Sequence, residues 1–380
     1  MASRLPSTHG LSALDEYPIH QAPLPVTWAA SSDRNFYDRS YFNAHDRTGD
    51  VFAIFGHGYY PNLGTKDAFF LLRRGDEQTA LHLGDPIDDD RMNQHVGPYR
   101  LEVLEPLQRV RMVLEETEGI AADLTWQGSF PALQEVPHVM RAGSRVTLDA
   151  QRFAQVGSWE GVISVDGTDL EVTPDRWVGS RDRSWGIRPV GEAPPAGAPA
   201  TPEFEGMWWL YVPMRFDDFM LCLIVQEEPD GYRSLNDCHR VWKDGRVEQL
   251  GWPHVSVRYT SGTRVPTGAT LTCTTPTGTP LVVEVESRLA VPLHVGGGYG
   301  GDPDWSHGVW KGAGFTERVT YDVSAPDVAG RVMFGVIDHV GRALCREGGG
   351  DAQEGWGLFE HGALGRHDPS GFADWFTLAP

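Results

Sequence analysis

The sequence of 380 residues has few cysteines and no spacing that marks a metal site or a disulfide framework. Its four cysteines, Cys222, Cys238, Cys273 and Cys345, lie far apart and form no Cys-x-x-Cys pair. Isolated cysteines of this kind are typical of reduced thiols in a protein core. No His-Glu-x-x-His or His-x-His spacing occurs either, so any metal site would need residues distant in sequence. We expect no metal and no cofactor.

Basic residues are also scarce. The chain has 32 Lys and Arg against 52 Asp and Glu, which gives a formal net charge of −20. Phosphate recognition needs a basic surface, so this balance argues against a nucleic-acid partner and against binding to anionic membranes.

Long apolar runs and targeting signals are missing as well. No stretch approaches the roughly 18 apolar residues that span a bilayer. Residues 1–7 contain neither an apolar signal region nor a glycine at position 2, so we expect no secretory signal and no myristoylation. These features predict a cytoplasmic protein without a membrane span, either a monomer or a homodimer.

Motifs of two common enzyme classes are absent. No Gly-x-Ser-x-Gly elbow of a hydrolase occurs, and the glycine-rich residues 291–301 are not followed by the Lys-Ser/Thr of a phosphate loop. The three consecutive glycines at 296–298 instead permit close approach of the backbone to a neighbour or a ligand.

The residues that are abundant predict an all-β fold. There are 13 Trp, 16 Phe, 44 Gly and 27 Pro, and short β-branched or aromatic segments recur at 51–55, 67–72, 109–114 and 121–126. Asp-Gly pairs separate further segments of this kind, which is typical of hairpins.

The length predicts two domains, because one core seldom grows this large. Residues 190–203 are rich in Pro and Ala and cannot join a sheet. We therefore expect an N-terminal β-domain at 1–189, a surface linker at 190–203 and a C-terminal β-domain at 204–380. A second role for the linker as a flexible flap stays open.

The segment 179–189 concentrates charge in the middle of the chain. Asp182 lies among Arg181, Arg183 and Arg188, with Trp185 beside them. The arginines should lower the pKa of Asp182, whereas burial beneath Trp185 would raise it. The segment is either a partly dry reactive site or an ion-pair cluster that joins the domains.

Two acids elsewhere have histidine neighbours. If residues 332–340 form a strand, Asp338 and His339 face opposite sides, and the same rule separates Glu360 from His361. A carboxylate on an apolar face is costly unless it is paired or protonated, so Asp338 and Glu360 are candidates for raised pKa values. The alternative is a salt bridge to Arg342, Arg346 or Arg366.

Two further histidines have aromatic neighbours. His57 lies in the Gly-His-Gly-Tyr-Tyr-Pro-Asn turn at 56–62, and His307 lies between Trp305 and Trp310. Each indicates either a pocket residue or a buried, hydrogen-bonded histidine.

Several of these motifs resemble one known superfamily. They are the Asp-Arg-x-Trp-Gly segment at 182–186 and the segments 56–62, 105–107, 157–161, 299–301, 307–308, 338–339, 360–362 and 371–372. With these motifs in this order along the sequence, the chain resembles the carotenoid hydratase (hydroxyneurosporene synthase) and AttH-type lipocalin-like superfamily. Within that superfamily, it resembles the uncharacterised bacterial branch. Carotenoid hydratases carry His where this chain has Arg183.

The resemblance implies two lipocalin-like antiparallel β-barrel or sandwich domains packed together, with an apolar cleft between or within them. It also implies a cofactor-independent hydratase or dehydratase acting on an isoprenoid-, steroid- or polyketide-like molecule. A carboxylic acid would protonate a C=C bond, aromatic faces would shelter the carbocation, and water would add. A non-catalytic lipid or terpenoid carrier and a cyclase or isomerase of polyenes are the alternatives.

This hypothesis assigns roles to fifteen residues. The candidate catalytic residues are Asp182, Asp338, Glu360, His57 and His307. The candidate substrate-binding residues are Arg183, Trp185, Arg188, Tyr59, Tyr60, Trp208, Tyr299, Trp310, His339 and His361. The segment containing Asp182, Arg183 and Trp185 is expected in the wall of the cleft near the domain junction.

Overall fold

A computed structural model describes residues 13–189, 204–300 and 302–380. Strands make up 58% of it and helices 4%, in two curled antiparallel sheets, which confirms the all-β, two-domain prediction. The linker proposed at 190–203 lies outside the described residues. In the part of the chain that is described, no helix is long and apolar enough to cross a membrane.

The first sheet contains fourteen strands among the described residues. They are β1 (Phe36–His45), β2 (Val51–Tyr60), β3 (Thr65–Arg74), β4 (Glu77–Pro86), β5 (Gln94–Val96), β6 (Tyr99–Glu105), β7 (Arg109–Thr117), β8 (Ile120–Gly128), β9 (Leu133–Gln134), β10 (His138–Ala142), β11 (Arg145–Val165), β12 (Thr168–Val172), β13 (Val178–Ile187) and, from much later in the chain, β21 (Phe315–Asp322). Their order is β21-β4-β3-β2-β1-β13-β11-β8-β7-β6-β5, and β9, β10 and β12 also pair with β11.

The second sheet contains nine strands over the same described ranges. They are β14 (Gly206–Arg215), β15 (Phe219–Glu227), β16 (Arg233–Trp242), β17 (Val247–Gln249), β18 (His254–Tyr259), β19 (Pro266–Thr274), β20 (Pro280–Pro292), β22 (Ile337–Glu347) and β23 (Gln353–Gly365). Their order is β17-β16-β15-β14-β23-β22-β20-β19-β18.

The helices are short. Helix α1 spans Pro326–Ala329, and 3₁₀ turns span Ala13–Glu16, Val332–Phe334 and Asp368–Ser370. The strand predicted at 332–340 therefore begins only at Ile337. Val332–Phe334 form a 3₁₀ turn instead, and the backbone becomes extended at Gly335, which packs directly on the His294 ring where no Cβ would fit.

Alternating side chains divide the strands mainly among three large apolar cores. Phe42 of β1 packs inside the first sheet, and Leu210 of β14 packs inside the second. Their neighbours Tyr41 and Trp209 belong to a third core, which lies between the two sheets. Because successive strand residues face opposite sides, the central strands are buried on both faces.

The boundary at 190–203 does not separate the sheets completely. Strand β21 lies within 204–380, yet it pairs with β4 at the edge of the first sheet, with Phe315 opposite Gly84 and Asp322 opposite Glu77. The second half of the chain therefore completes the first sheet, and the two units are joined by a strand as well as by the shared core.

Candidate active site

A cavity of about 290 Å³ lies between the two sheets. Its walls come from β1, β10, β11 and β13 of the first sheet, from β14, β15 and β23 of the second, and from the loops that contain Tyr299 and Val336. Apolar and aromatic side chains make up much of the lining, and two carboxyl groups and three guanidinium groups interrupt it: Asp182, Glu360, Arg39, Arg152 and Arg188. Pockets with a few polar groups on an apolar wall are typical of small-molecule sites.

Asp182 lies in the wall contributed by β13. The strand is hydrogen-bonded on both sides, with Asp182 opposite Tyr41 of β1 and opposite Ala154 of β11. Burial raises the pKa of this carboxyl to about 7, although Arg152 and Arg39 oppose the shift. Burial is therefore the larger of the two effects that the sequence left open, and Asp182 holds a proton for much of the time near neutral pH.

The arginines adjacent to Asp182 in sequence do not face the cavity. Arg181 donates to Gln155 at 2.8 Å, and Arg183 forms an ion pair with Asp38 at 2.9 Å, both on the opposite side of the strand. Trp185 shares that side and is 38% exposed. The prediction that Arg183 and Trp185 lie in the cavity wall is therefore wrong. Side chains alternate along a strand, and the odd-numbered residues of β13 face away from the cavity.

Asp338 and Glu360 form a carboxyl pair across β22 and β23, where they are direct cross-strand partners. Asp338 is fully buried and accepts the Tyr41 hydroxyl, while Glu360 lines the cavity and accepts the Trp209 indole N–H. Burial raises the pKa of both groups, and the charge of Glu360 raises that of Asp338 further. Two adjacent buried carboxyls rarely ionise together, so the pair holds one proton on Asp338.

An ion pair absent from the sequence-based hypothesis lies beside Asp182. Arg152 of β11 donates to the buried Glu135, and its guanidinium carbon lies 5.1 Å from the Tyr211 ring centroid. Both charges influence the pKa of Asp182. No motif marks either residue, since Glu135 follows the two-residue strand β9 and Arg152 lies in the middle of a 21-residue strand.

Arg39, Tyr41 and Tyr37 were also missed, although the sequence contains a signal for them. They alternate along β1 and all line the cavity. Period-2 alternation in residues 36–45 would place these three side chains on one face. Without the structure, nothing shows that this face meets the second sheet.

Behind Tyr299, a second polar layer contains two of the predicted residues. His307 packs against the Tyr299 ring at 4.9 Å and lies 3.5 Å from Asp67, which also accepts the Tyr60 hydroxyl at 3.1 Å. Burial lowers the pKa of His307 to about 3, so the ring is neutral. His307 and Tyr60 thus lie behind the cavity wall, while Tyr299 lies in it.

The remaining predicted residues lie elsewhere. His57 and Tyr59 pack together in the first sheet, where His57 bonds to Gln94 at 3.2 Å and burial lowers its pKa to about 3. Tyr59 and Arg183 line a separate cavity of about 370 Å³ under residues 19–30. Trp310 is 53% exposed.

Three predicted residues face the interior of the second sheet. His361 bonds to the Trp209 carbonyl at 2.6 Å, His339 bonds to the Phe359 carbonyl at 3.1 Å, and Trp208 packs in the second core. Each of the three is the immediate neighbour of a residue at the site, namely Glu360, Asp338 or Trp209, and strand alternation turns it to the other face.

The described residues bring together part of the predicted set. Asp182, Glu360, Arg188 and Tyr299 line the cavity, with Asp338 directly behind Glu360. Within the same ranges, no group of three or more His, Cys, Asp or Glu side chains is placed to hold a metal, and all four cysteines are buried free thiols.

The site can therefore supply both halves of a proton transfer. Asp182 is partly protonated near neutral pH, and the Asp338–Glu360 pair presents an oxygen of Glu360 that accepts a proton. Carboxyl groups held at different ionisation states in one pocket are the usual basis of acid–base chemistry.

Comparison with known proteins gives a family. The chain belongs to a family of unknown function (DUF8625), which matches residues 11–373. A comparison with curated protein sequences finds no significant match.

Solved structures that resemble the chain share its fold over most of their length. Kievitone hydratase from Nectria haematococca has a TM-score of 0.51 at 11% identity, with 90% of each chain covered. A putative AttH from Nitrosomonas europaea has a TM-score of 0.52 at 13% identity, covering 91% of this chain and 97% of that one. CghA in complex with Sch210972 has a TM-score of 0.50 at 14% identity, covering 87% and 89%. At these identities the likeness establishes the AttH/lipocalin-like fold.

Proposed function

We propose that this protein is a cofactor-independent hydratase or dehydratase, which adds water to or removes it from a C=C bond of a hydrophobic isoprenoid-, steroid- or polyketide-like molecule. The observation that carries the proposal is a carboxyl group with a pKa of about 7 in an aromatic-walled cavity between the two sheets. A hydratase among the proteins of similar fold supports it.

Asp182 is the proposed acid. Its proton moves to one carbon of the double bond, and the other carbon becomes a carbocation. Trp209, Tyr37 and Tyr299 line the same cavity, and a desolvated aromatic face stabilises a cation by about 2 kcal/mol.

Glu360 is the proposed base. Its carboxylate takes a proton from the water whose oxygen bonds to the carbocation, so water is added across the double bond. Asp182 is then ionised and the Asp338–Glu360 pair holds the extra proton until both exchange with solvent. Dehydration runs through the same steps in reverse, with Glu360 protonating the leaving hydroxyl.

The test starts from the hydrophobic molecule that co-purifies with the protein, identified by mass spectrometry. Incubation in H₂¹⁸O should change its mass by one water molecule or place ¹⁸O in its hydroxyl group. For Asp182→Asn we expect kcat to fall by about 10²–10⁴-fold, with affinity within about tenfold of wild type. Asp169→Asn, an exposed acid on β12, is the matched control and should keep full activity.

The other outcomes have definite meanings. Binding without a change of mass or isotope in any variant contradicts the proposal and indicates a carrier. A product of unchanged mass and altered connectivity indicates a polyene cyclase or isomerase. Equal loss of affinity and stability in Asp182→Asn would make Asp182 a structural residue.

A further inference from the structure

We propose that the cavity recognises a carboxylate, which Arg39 and Arg188 bind beside the Tyr299 ring. Together with the proposed function, on which it rests, such a carboxylate site makes the substrate a hydrophobic carboxylic acid with the reacting double bond farther along its chain.

Both guanidinium groups lie against the Tyr299 ring. The Arg188 guanidinium carbon lies 5.5 Å from the Tyr37 ring centroid and 5.8 Å from that of Tyr299. The Arg39 guanidinium carbon lies 4.9 Å from the Tyr299 centroid, and its Nη2 donates to the Tyr299 hydroxyl at 2.8 Å. All four residues line the cavity. Planar, fork-shaped guanidinium donors match the geometry of a carboxylate.

In the described part of the chain, no Asp or Glu oxygen lies within 4.0 Å of either arginine. Asp67 acts electrostatically on Arg39, but its oxygens accept the Tyr60 hydroxyl at 3.1 Å and the Gly308 amide at 2.7 Å. Arg39 is only 5% exposed, and a buried guanidinium without a counter-ion is costly.

The balance of charge in the cavity points the same way. Of its three arginines, only Arg152 has a partner in contact, the buried Glu135. The Asp338–Glu360 pair contributes one negative charge, and Asp182 is only partly ionised at neutral pH. Arg39 and Arg188 are therefore the arginines of the cavity that no carboxylate contacts, and a ligand carboxylate would supply that contact.

The Tyr299 hydroxyl adds a third donor. Its oxygen accepts from Arg39, and burial raises its pKa to about 12, so the hydroxyl keeps its proton. A phenol in this state donates to an acceptor oxygen. A carboxylate bound here would leave its hydrocarbon part along Met207, Trp209 and Leu364, the wall that continues to Glu360.

The experiment compares dodecanoate with 1-dodecanol, which have the same chain length and differ in charge. Isothermal titration calorimetry is carried out at pH 8 and below the micellar concentration. We expect wild type to bind dodecanoate at least about tenfold more tightly, the scale of hydrogen bonds to a charged group. Arg188→Gln should abolish that preference and change the affinity for 1-dodecanol less than about threefold.

Two further variants make the result specific. Arg109→Gln removes one surface charge from the first sheet, at a side chain that is 47% exposed, and should preserve the preference. Tyr299→Phe should weaken dodecanoate binding by about five- to tenfold and leave 1-dodecanol binding unchanged. Arg39 is too buried to serve as the first test, whereas Arg188 is only partly buried.

Equal affinity of wild type for dodecanoate and 1-dodecanol overturns the inference. An equal loss of dodecanoate affinity in Arg188→Gln and Arg109→Gln also overturns it. The outcome is separate from that of the proposed function. If dodecanoate is preferred and no water addition is found, the carboxylate site stands and the protein is a carrier. If water addition is found without the preference, the reaction stands and this site does not.

Discussion

At the scale of single residues, the fold raises the pKa of Asp182, because burial outweighs the arginines that act on it. The arginines near Asp182 in sequence were expected to compete with burial, but Arg181 and Arg183 lie on the other face of β13. The cations that do oppose burial are Arg152 and Arg39, from β11 and β1. The pKa of Asp182 therefore depends on which face of its strand each arginine occupies.

The raised pKa of Asp182 gives a pH dependence with a definite sign. Between the ordinary value of 3.8 and about 7, the folded protein binds more protons at this position than the unfolded chain. Its contribution to stability is therefore fully present below about pH 4 and is lost as the pH rises through 7. Asp182→Asn removes this dependence. Relative to wild type, the variant should gain about 2–4 kcal/mol of unfolding free energy between pH 4 and pH 8.

Urea unfolding of both proteins at intervals across this range measures the difference. Asp169→Asn, with its exposed carboxyl, should follow the wild-type curve. A difference between wild type and Asp182→Asn that stays constant from pH 4 to pH 8 would mean that Asp182 ionises normally.

At the scale of secondary structure, adjacent residues on a strand belong to different parts of the molecule. Trp208 and Trp209 of β14 illustrate this. Trp208 donates to the Tyr259 hydroxyl at 3.2 Å inside the second sheet, whereas Trp209 lies in the cavity and donates to Glu360.

Tryptophan fluorescence distinguishes the two positions. Trp209 is the one tryptophan among the described residues that lines the cavity. A ligand in the cavity should therefore change the emission of wild type and of Trp208→Phe, and Trp209→Phe should lose most of that change. Trp208→Phe should instead lower the unfolding free energy by about 1–3 kcal/mol, because it leaves space in a packed core. An identical fluorescence response in both variants would place the ligand elsewhere.

At the scale of the whole molecule, the two sheets are held together by more than the chain between them. Their facing strands share a core that includes Tyr41, Trp209 and Leu358, and β21 joins the second half of the chain to the first sheet. The cavity lies within this shared core, so the site exists only while the sheets are associated.

Limited proteolysis tests this organisation. We expect the first cleavage within residues 190–201, because their Pro- and Ala-rich sequence cannot pair in a sheet. The two fragments should still elute together in size-exclusion chromatography, because apolar burial across the shared core is unaffected by the cut. Denaturing electrophoresis with mass spectrometry locates the cleavage. Fragments that separate, or a first cut elsewhere, would contradict the proposed domain organisation.

The sequence by itself determined the fold class and three acids of the site. Hairpin turns and short aromatic segments predicted the all-β fold, because strand patterning and turn chemistry are local properties. Asp338 and Glu360 stood out because a carboxyl group in an apolar segment is visible without a structure, and Asp182 stood out because charges are concentrated at 179–189.

Only the tertiary structure decided which residues meet. Period-2 alternation assigns two faces to each strand, but the sequence does not say which face meets the other sheet. For this reason His57, Trp185 and His361 were chosen although they face away from the cavity, and Arg39 and Arg152 were missed. The same long-range pairing determines the ionisation of Asp182, because its burial and its partners come from strands distant in sequence.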